Sequence, residues 1–488
     1  MNLDDYARQD ALGLAELIRT QRVSRTEVIE AALEAIELAN PALNAIIEVY
    51  ADAAHAAARA PVEPAATFAG VPFLLKDIGS HDANVRFEMG SRLTQGLKAP
   101  PFASELVNRF RATGLVVIGR TNIPELGSSC STEPYLYGPT RNPWQLDRSP
   151  GGSSGGAAAA VAAGIVPIAH ANDAGGSIRV PAASCGLFGL KPSRNLNPVG
   201  PDAALALNGL AAELIVSRSV RDTAAMLDAT AGPDPGAWCY TPRFSGSYLE
   251  EAARPPKKLR IALQLGSLFP PTRIDPEILE LTRAAARLCE SLGHTIEEAA
   301  PEWDVEPVMD AFCTIWMTNL RAALEALSTI TQRAVSEDTV EPHVLAAWRD
   351  AKMTPAARLQ WALEQLNTPA RAYGRLFQRY DVLLSPLLST EPFPLGEVGK
   401  IPARHFRDWF IEMSRLSPFT APVNAAGIPA MSVPLGWSRA GLPVGVHFVA
   451  ALGEEPTLLK LAMQLEAAQP WSGREPSHHV ARLARGAH

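Results

Sequence analysis

The stretch from Ser149 to Pro181 reads SPGGSSGGAAAAVAAGIVPIAHANDAGGSIRVP and contains two serine clusters, each flanked by paired glycines. The small, alanine-rich residues from Gly156 to Ala163 predict a tightly packed helix, because alanine loses no side-chain entropy when it becomes helical. The apolar residues from Ile165 to Ala169 predict a buried strand. A helix and a strand between the two clusters would bring their serines face to face.

The second cluster, DAGGSIRVP, has the composition of a turn that binds anions. Consecutive glycines accept φ > 0, and successive N–H groups in such a turn converge on an anion. Acyl transfer needs a nucleophile beside donors of this kind, so we predict Ser177 as the nucleophile. The predicted oxyanion donors are the backbone N–H groups of Ala174, Gly175, Gly176 and Ser177. The flanking Asp173 and Arg179 are interpreted as a structural ion pair that holds the turn.

A serine nucleophile needs a base, and Lys76 at the end of the apolar run PFLL is the candidate. Burial lowers the pKa of a lysine, and a neutral lysine accepts protons near pH 7. Ser153 and Ser154 of the first cluster would relay the proton. The histidines offer no better base, since His170 and His447 lie in apolar runs typical of core histidines. A triad that includes a histidine stays open, because triads are set by space rather than by chain order.

Four segments resemble the amidase signature family: PFLLKDIG, SPGGSSGG, NDAGGSIRVPAASCGLFGLKPS and TAPVNAAGIPAMSVPLG. The resemblance covers about residues 12–471 and implies a Ser–cis-Ser–Lys triad, in which Ser177 is the nucleophile. Ser153 resembles the bridging serine at a cis peptide bond, and Lys76 resembles the base. The resemblance also implies a single α/β/α domain over residues 1–488, with a large, mixed, twisted sheet covered by helices. It replaces the expectation of roughly three domains that length alone suggests.

The variant HANDAGGS, together with TRNPW from Thr140 to Trp144, resembles the branch of the family that includes nylon-oligomer hydrolases. Many family members carry threonine where this chain has Ala174. The resemblance implies hydrolysis of a carboxamide C–N bond through an acyl-serine, without metal or cofactor. Small or oligomeric linear and cyclic amides are the expected substrates, with carbamates or esters as further ones. Two alternatives stay open: the glutaminase subunit of a tRNA-dependent amidotransferase, and a binding-only relative.

The loop ELGSSCSTEP resembles a segment that lines the site in relatives. Ser128, Ser129 and Cys130 are therefore predicted substrate contacts, although an ordinary turn is the alternative. A mostly helical stretch over about residues 301–376 is expected to border the substrate funnel. Within it, Trp316 is a candidate pocket residue, although an aromatic at helical spacing is more often part of a core.

Composition excludes several classes of function. The 488 residues carry a net charge of −7 without a basic block, which argues against a nucleic-acid partner. The five cysteines form no C-x-x-C pair, so we expect neither a zinc site nor a disulfide framework. The acidic N-terminus is not a secretory signal, and no apolar run reaches the about 20 residues of a membrane span. We therefore expect a cytoplasmic monomer or homodimer that takes a small-molecule amide.

Overall fold

The computed structural model describes residues 1–63, 65–267 and 269–486. Within them the chain forms a mixed sheet in the order β1-β3-β2-β4-β6-β5-β10-β11-β9-β7-β8. Its strands are β1 (Ile46–Val49), β2 (Pro72–Lys76), β3 (Val116–Thr121), β4 (Ile168–Asp173), β5 (Phe188–Lys191), β6 (Ala212–Ser217), β7 (Arg260–Leu263), β8 (Thr295–Glu298), β9 (Val382–Pro386), β10 (Ala430–Trp437) and β11 (Pro443–Ala450).

Helices precede, follow and separate the strands along the chain. Their bounds are α1 (Leu3–Arg8), α2 (Ala11–Arg19), α3 (Arg25–Leu43), α4 (Ala51–Arg59), α5 (Glu105–Ala112), α6 (Gly155–Ala162), α7 (Arg179–Cys185), α8 (Val220–Thr230), α9 (Tyr248–Ala252), α10 (Pro276–Ser291), α11 (Val305–Thr331), α12 (Pro342–Ala351), α13 (Ala356–Gln365), α14 (Asn367–Leu376), α15 (Phe406–Ser414), α16 (Ala421–Ala426), α17 (Glu455–Ala468) and α18 (Val480–Gly486).

The central strands are covered on both faces. Every residue of β2, β6, β9 and β11 is buried, although side chains along a strand point alternately to opposite faces. Strand β2 pairs in parallel with both β3 and β4, whereas β4 pairs with β6 in the antiparallel sense. Because parallel strands end at the same edge of a sheet, Lys76 at the end of β2 and Asp173 at the end of β4 lie at one edge.

The helix and strand between the two serine clusters form as expected, with shifted bounds. Helix α6 covers Gly155–Ala162, close to the prediction, but β4 begins at Ile168 rather than at Ile165. The reason is that the N–H of Ile165 still bonds to the carbonyl of Ala160 behind Gly164, which has a φ of 80°. The chain therefore completes a helix-terminating turn before it becomes extended.

The stretch expected to be helical holds α11, α12, α13 and α14. Helices α11, α12, α13 and α15 share an apolar cluster that is separate from the main core of the sheet, whereas Tyr373 and Leu376 of α14 belong to a third cluster. Ala174, beside the predicted nucleophile, belongs to this second cluster. The helical stretch therefore packs over the edge of the sheet where β2 and β4 end. Among the described residues, no helix has the length and apolar character needed to cross a bilayer.

Candidate active site

Lys76 is the buried centre of the site. Strand β2 carries it into the interior, where 1% of the residue is exposed. Its Nζ donates to the Oγ of Ser153 at 2.8 Å, to the Oγ of Ser154 at 2.8 Å and to the Oδ1 of Asn172 at 2.6 Å. Three acceptors around one nitrogen satisfy all the donors of an ammonium group.

Burial also changes the protonation of Lys76. Removal from water disfavours the charged form and lowers the pKa of Lys76 to about 7, while the nearby charges of Glu213 and Asp173 act in the opposite direction. A lysine with this pKa is neutral in a large fraction of molecules near pH 7. The structure thus gives Lys76 the protonation behaviour of a general base.

Ser153 reaches Lys76 because of the glycines before it. The peptide bond between Gly152 and Ser153 is cis. A Cβ at Gly152 would lie 2.7 Å from the carbonyl oxygen of Ser129 and 2.8 Å from the N atom of Ser131, so a side chain there would collide with backbone. The glycine lets the first serine cluster pack directly on the segment that was predicted to contact substrate.

Ser177 follows β4 in a turn that the Asp173 carboxylate organises. The carboxylate accepts the N–H of Gly176 at 2.7 Å and that of Ile178 at 3.2 Å. Gly176 has a φ of 138°, and a Cβ there would lie 2.7 Å from the Oγ1 of Thr420. Only glycine fits this position, and the turn leaves Ser177 in the wall of a small cavity.

The turn corrects one predicted oxyanion donor. The N–H of Gly176 already bonds to Asp173, so the prediction of Gly176 as a free donor was wrong. The carboxylate takes this N–H because Asp173 folds back over its own turn. Over the described ranges, the N–H groups of Ala174, Gly175 and Ser177 have no acceptor in the protein. These three groups remain as the available donors.

Asp173 and Arg179 form the buried ion pair that the sequence suggested. The Nε of Arg179 lies 2.8 Å from the Oδ2 of Asp173, and both side chains are fully buried. Burial alone would raise the pKa of Asp173, but the charge of Arg179 and hydrogen bonds hold it well below its usual range. Asn424 completes the arrangement by bonding both partners, at 2.9 Å to the Asp173 Oδ1 and 2.6 Å to the Arg179 Nη2.

The cavity beside Ser177 has a volume of about 30 Å³. All four predicted contact residues line it, namely Ser128, Ser129, Cys130 and Trp316. Trp316 stacks on Phe312 and lies 5.8 Å, between ring centroids, from Phe410. Burial raises the pKa of the Cys130 thiol to about 12, so this group stays protonated and is not a competing nucleophile.

The structure brings only some of the predicted catalytic residues into direct contact. Lys76 bonds directly to Ser153, whereas the hydroxyls of Ser153 and Ser177 are not hydrogen-bonded to each other among the described residues. Gly152, which precedes Ser153, lines the same cavity as Ser177. The first cluster and the Ser177 turn therefore meet at one cavity, with Lys76 behind the first cluster.

Sequence analysis assigned no role to Asn172 and Glu213, which lie behind Lys76. The Nδ2 of Asn172 donates to the Oε1 of Glu213 at 3.2 Å, and the Oε2 of Glu213 lies 2.8 Å from the Nε2 of His170. His170 is thus a hydrogen-bonded core histidine, as interpreted. Asn172 was visible as part of the HAND variant, but no local signal in the sequence places Glu213 of β6 beside it.

The comparisons with known proteins agree with this architecture. The Amidase family model matches residues 27–459. A 6-aminohexanoate-cyclic-dimer hydrolase from Paenarthrobacter ureafaciens is 36% identical over 479 residues, covering 96% of each chain. An acylamidase from Rhodococcus erythropolis is 32% identical, covering 96% of this chain and 97% of its own. The solved structure of a 6-aminohexanoate cyclic dimer hydrolase with substrate has a TM-score of 0.92 at 35% identity, covering 97% of this chain and 99% of that one.

The mixed sheet with its helices places the fold in the α/β class, and the relatives identify the protein as an amide-hydrolysing enzyme. The chain belongs to the amidase family, as the resemblance of its motifs predicted.

Proposed function

We propose that this enzyme cleaves carboxamide C–N bonds through an acyl-serine intermediate, with Ser177 as nucleophile, Ser153 as relay and Lys76 as base. The observation that carries the proposal is the 2.8 Å contact between Lys76 Nζ and Ser153 Oγ in a buried site that adjoins the Ser177 turn. A lowered lysine pKa beside a serine hydroxyl is the pairing that nucleophilic catalysis uses.

The contacts of Lys76 favour Ser153 over Ser154 as the relay. A neutral amine has two N–H donors and one lone pair. The amide oxygen of Asn172 can only accept, and the hydroxyl of Ser154 already donates to the carbonyl of Asn172 at 3.3 Å. Both therefore accept N–H groups from Lys76. The lone pair remains for the proton of Ser153.

In the proposed first half-reaction, Ser153 passes its proton to Lys76 and takes the proton of Ser177. The Ser177 oxygen forms a bond to the substrate carbonyl carbon, and the carbonyl oxygen becomes negative. Free N–H donors of the turn stabilise this charge, and each such donor is worth about 10²–10³ in rate. The C–N bond then breaks, and the leaving nitrogen takes the proton that Ser153 returns from Lys76.

In the second half-reaction, a water molecule gives its proton to the same relay and attacks the acyl carbon. The ester bond to Ser177 breaks, and Ser177 regains its proton. The carboxylic acid product leaves, and the enzyme returns to its starting state. No residue changes its oxidation state, and the site residues alone handle every proton in the cycle.

Small or oligomeric linear and cyclic amides are the proposed substrates, because the relative from P. ureafaciens is named for a cyclic dimer. Carbamates and esters share the carbonyl that Ser177 would attack, so they are included. The same relatives favour a free-standing hydrolase over the glutaminase subunit of an amidotransferase. We propose that the protein acts without partners from other chains.

The test uses the purified protein alone with aryl amides, aliphatic oligoamides, carbamates and glutamine. We expect hydrolysis of amides other than glutamine and covalent labelling of Ser177 by a fluorophosphonate. Ser177→Ala should abolish both. Ser184→Ala is the matched control, because Ser184 is buried in α7 close to the turn and its hydroxyl has no partner among the described residues. Turnover by Ser177→Ala near the wild-type rate would refute the proposal.

A further inference from the structure

A second cavity, of about 150 Å³, lies beside the cavity at Ser177, which is called the catalytic cavity below. The two cavities share Ser129 in their walls. Helix α15 also contributes to both, since Trp409 lines the second cavity and the next residue, Phe410, lines the catalytic one. A molecule held at Ser177 therefore has a neighbouring space of about the volume that accommodates a benzene-sized group.

The acidic side chains that line the second cavity are not balanced by basic ones. Two carboxylates, those of Glu133 and Glu341, line it, and no lysine or arginine is among its lining residues. The guanidinium of Arg92 is near, but it lies over the ring of Tyr135, 5.3 Å from the ring centroid. Burial raises the pKa of Glu341 and the charge of Glu133 adds to the effect, whereas the N–H of Tyr135 and the charge of Arg92 act in the opposite direction.

An unpaired acceptor also faces this cavity. The Ser128 hydroxyl donates to the carbonyl of Glu125 at 2.7 Å, so its oxygen accepts the N–H at Nε2 of His343, 2.8 Å away. The other ring nitrogen, Nδ1, is then an acceptor when the ring is neutral. The Oε2 of Glu341 lies 3.7 Å from this nitrogen, beyond hydrogen-bond distance. His343 is only 7% exposed and lines the cavity.

The aromatic walls suit a cation as well. Trp409 stacks on His343 with 4.3 Å between ring centroids, and Tyr135 also lines the cavity. Aromatic faces attract cations, most strongly when water is excluded. Within the described residues, no group of three or more His, Cys, Asp or Glu side chains is arranged to hold a metal ion. An organic cation with N–H donors fits these acceptors better than a metal.

We propose that this second cavity binds the ammonium group of an aminoalkyl amide whose scissile carbonyl lies at Ser177. The three N–H donors of an ammonium match three acceptors: the carboxylates of Glu133 and Glu341 and the Nδ1 of His343. The proposal rests on the proposed function of Ser177. It makes the enzyme selective for amides that carry a positive charge at one end.

The kinetic test compares 6-aminohexanoic acid anilide with hexanoic acid anilide at pH 7.5, where the amine is charged. The wild-type kcat/KM should be at least about tenfold higher for the charged anilide, mainly through KM. Glu341→Gln keeps an acceptor for the N–H of Tyr135 but removes the charge, so the preference should fall towards one. Glu337→Gln is the control, because its side chain is 82% exposed and does not line the cavity.

Equal kcat/KM for both anilides in the wild type, or an unchanged preference in Glu341→Gln, would overturn the proposal. A binding measurement separates it from the hydrolytic mechanism. Calorimetry with hexylammonium and with hexan-1-ol on the Ser177→Ala protein should show binding of the cation alone, and Glu341→Gln should weaken it. If neither anilide is hydrolysed but hexylammonium binds, the proposed function fails and the cation site stands. If hexylammonium does not bind, the cation site fails.

Discussion

The floor and the roof of the catalytic cavity are built on different principles. The floor, formed by β2, β4 and the two serine clusters, is polar, and its buried charges are paired or hydrogen-bonded. Asp173, for example, is bonded to Arg179, Asn424 and the N–H of Gly176. The roof, formed by α11 and α15, presents the stacked rings of Phe312 and Trp316 and the ring of Phe410, which is tilted against both.

This difference indicates that the floor determines the rate of the reaction and the roof determines substrate selectivity. A buried polar group is costly unless all its bonds are made, so the floor has little freedom to change. Apolar side chains exchange with one another at much smaller cost when their volume is kept. Substitutions in the floor should therefore change the rate of every substrate, whereas substitutions in the roof should change the ranking of substrates.

The largest effect is expected when the buried lysine of the floor loses its charge and lone pair. Lys76→Met keeps the length of the side chain and should lower kcat by about 10³–10⁴, because no base remains to accept a proton. Lys191→Met is the matched control. Lys191 is also fully buried, and burial likewise lowers its pKa to about 7, but its Nζ bonds to the carbonyl of Pro192 instead.

Steady-state rates of both variants on one anilide, with melting curves to verify folding, provide the measurement. An equal loss of activity in the two variants would mean that buried lysines matter only for stability. That result would contradict the assignment of the catalytic base to the floor.

A smaller effect should separate the two serines that contact Lys76. Ser153→Ala should lower kcat by about 10²–10³, because the proton path from the nucleophile is cut. Ser154→Ala should cost about tenfold, since it removes an acceptor of Lys76 but leaves the relay in place. Single-turnover rates of the two variants with the same substrate test the order. A larger loss in Ser154→Ala would assign the relay to the other serine.

The sequence predicted the floor far better than the roof. Sequence analysis detected Ser153, Ser177 and Lys76 because each lies in a local pattern. The two serines are flanked by glycine pairs, and the lysine follows an apolar run. Position in space is not a local signal. Glu213 comes to the site and His343 to the second cavity from distant elements, and nothing near them in the chain indicates it. Asn424 lies in the segment TAPVNAAGIPAMSVPLG, but that motif does not show that its side chain bonds Asp173. The single-domain organisation and the homodimer stay predictions.

Even within the floor, the details of the turn escaped prediction. Composition indicated a set of converging N–H groups, but it could not show that Asp173 takes the N–H of Gly176 for itself. In the same way, the apolar run after α6 indicated a strand that begins at Ile165. The strand begins later in the chain, because the N–H of Ile165 bonds to a carbonyl of the helix. Hydrogen-bond competition of this kind depends on coordinates rather than on residue type.

The roof should respond by changing selectivity. Trp316→Ala removes a ring that lines the cavity and lies near Gly175, where a Cβ would be 3.5 Å from it. We expect about a tenfold change in the kcat/KM ratio between a bulky and a small acyl group. The rate of labelling of Ser177 by a small fluorophosphonate should stay within about threefold, because the floor is intact. A uniform loss with all substrates would place Trp316 in the catalytic floor.

The smallest effect should be a shift of the pH profile. Because burial lowers the pKa of Lys76 from 10.5 to about 7, the neutral base forms above that pH, and kcat/KM should rise as the pH increases through about 7. The negative charge of Glu213 raises the pKa of Lys76. Glu213→Gln removes that charge, so the acid limb should move to lower pH by about half a unit to one unit.

The interpretation of this shift depends on the groups that face Glu213. They are His170 and the N–H of Ser80 at the Oε2 and Asn172 at the Oε1, and a glutamine keeps acceptor contact with His170 and Ser80 when its amide oxygen takes the Oε2 position. Glu306→Gln changes the same charge on α11, where the side chain is 70% exposed, and should leave the profile in place. A shift to higher pH in Glu213→Gln, or equal shifts in both variants, would show that the charge behind Asn172 does not act on the base.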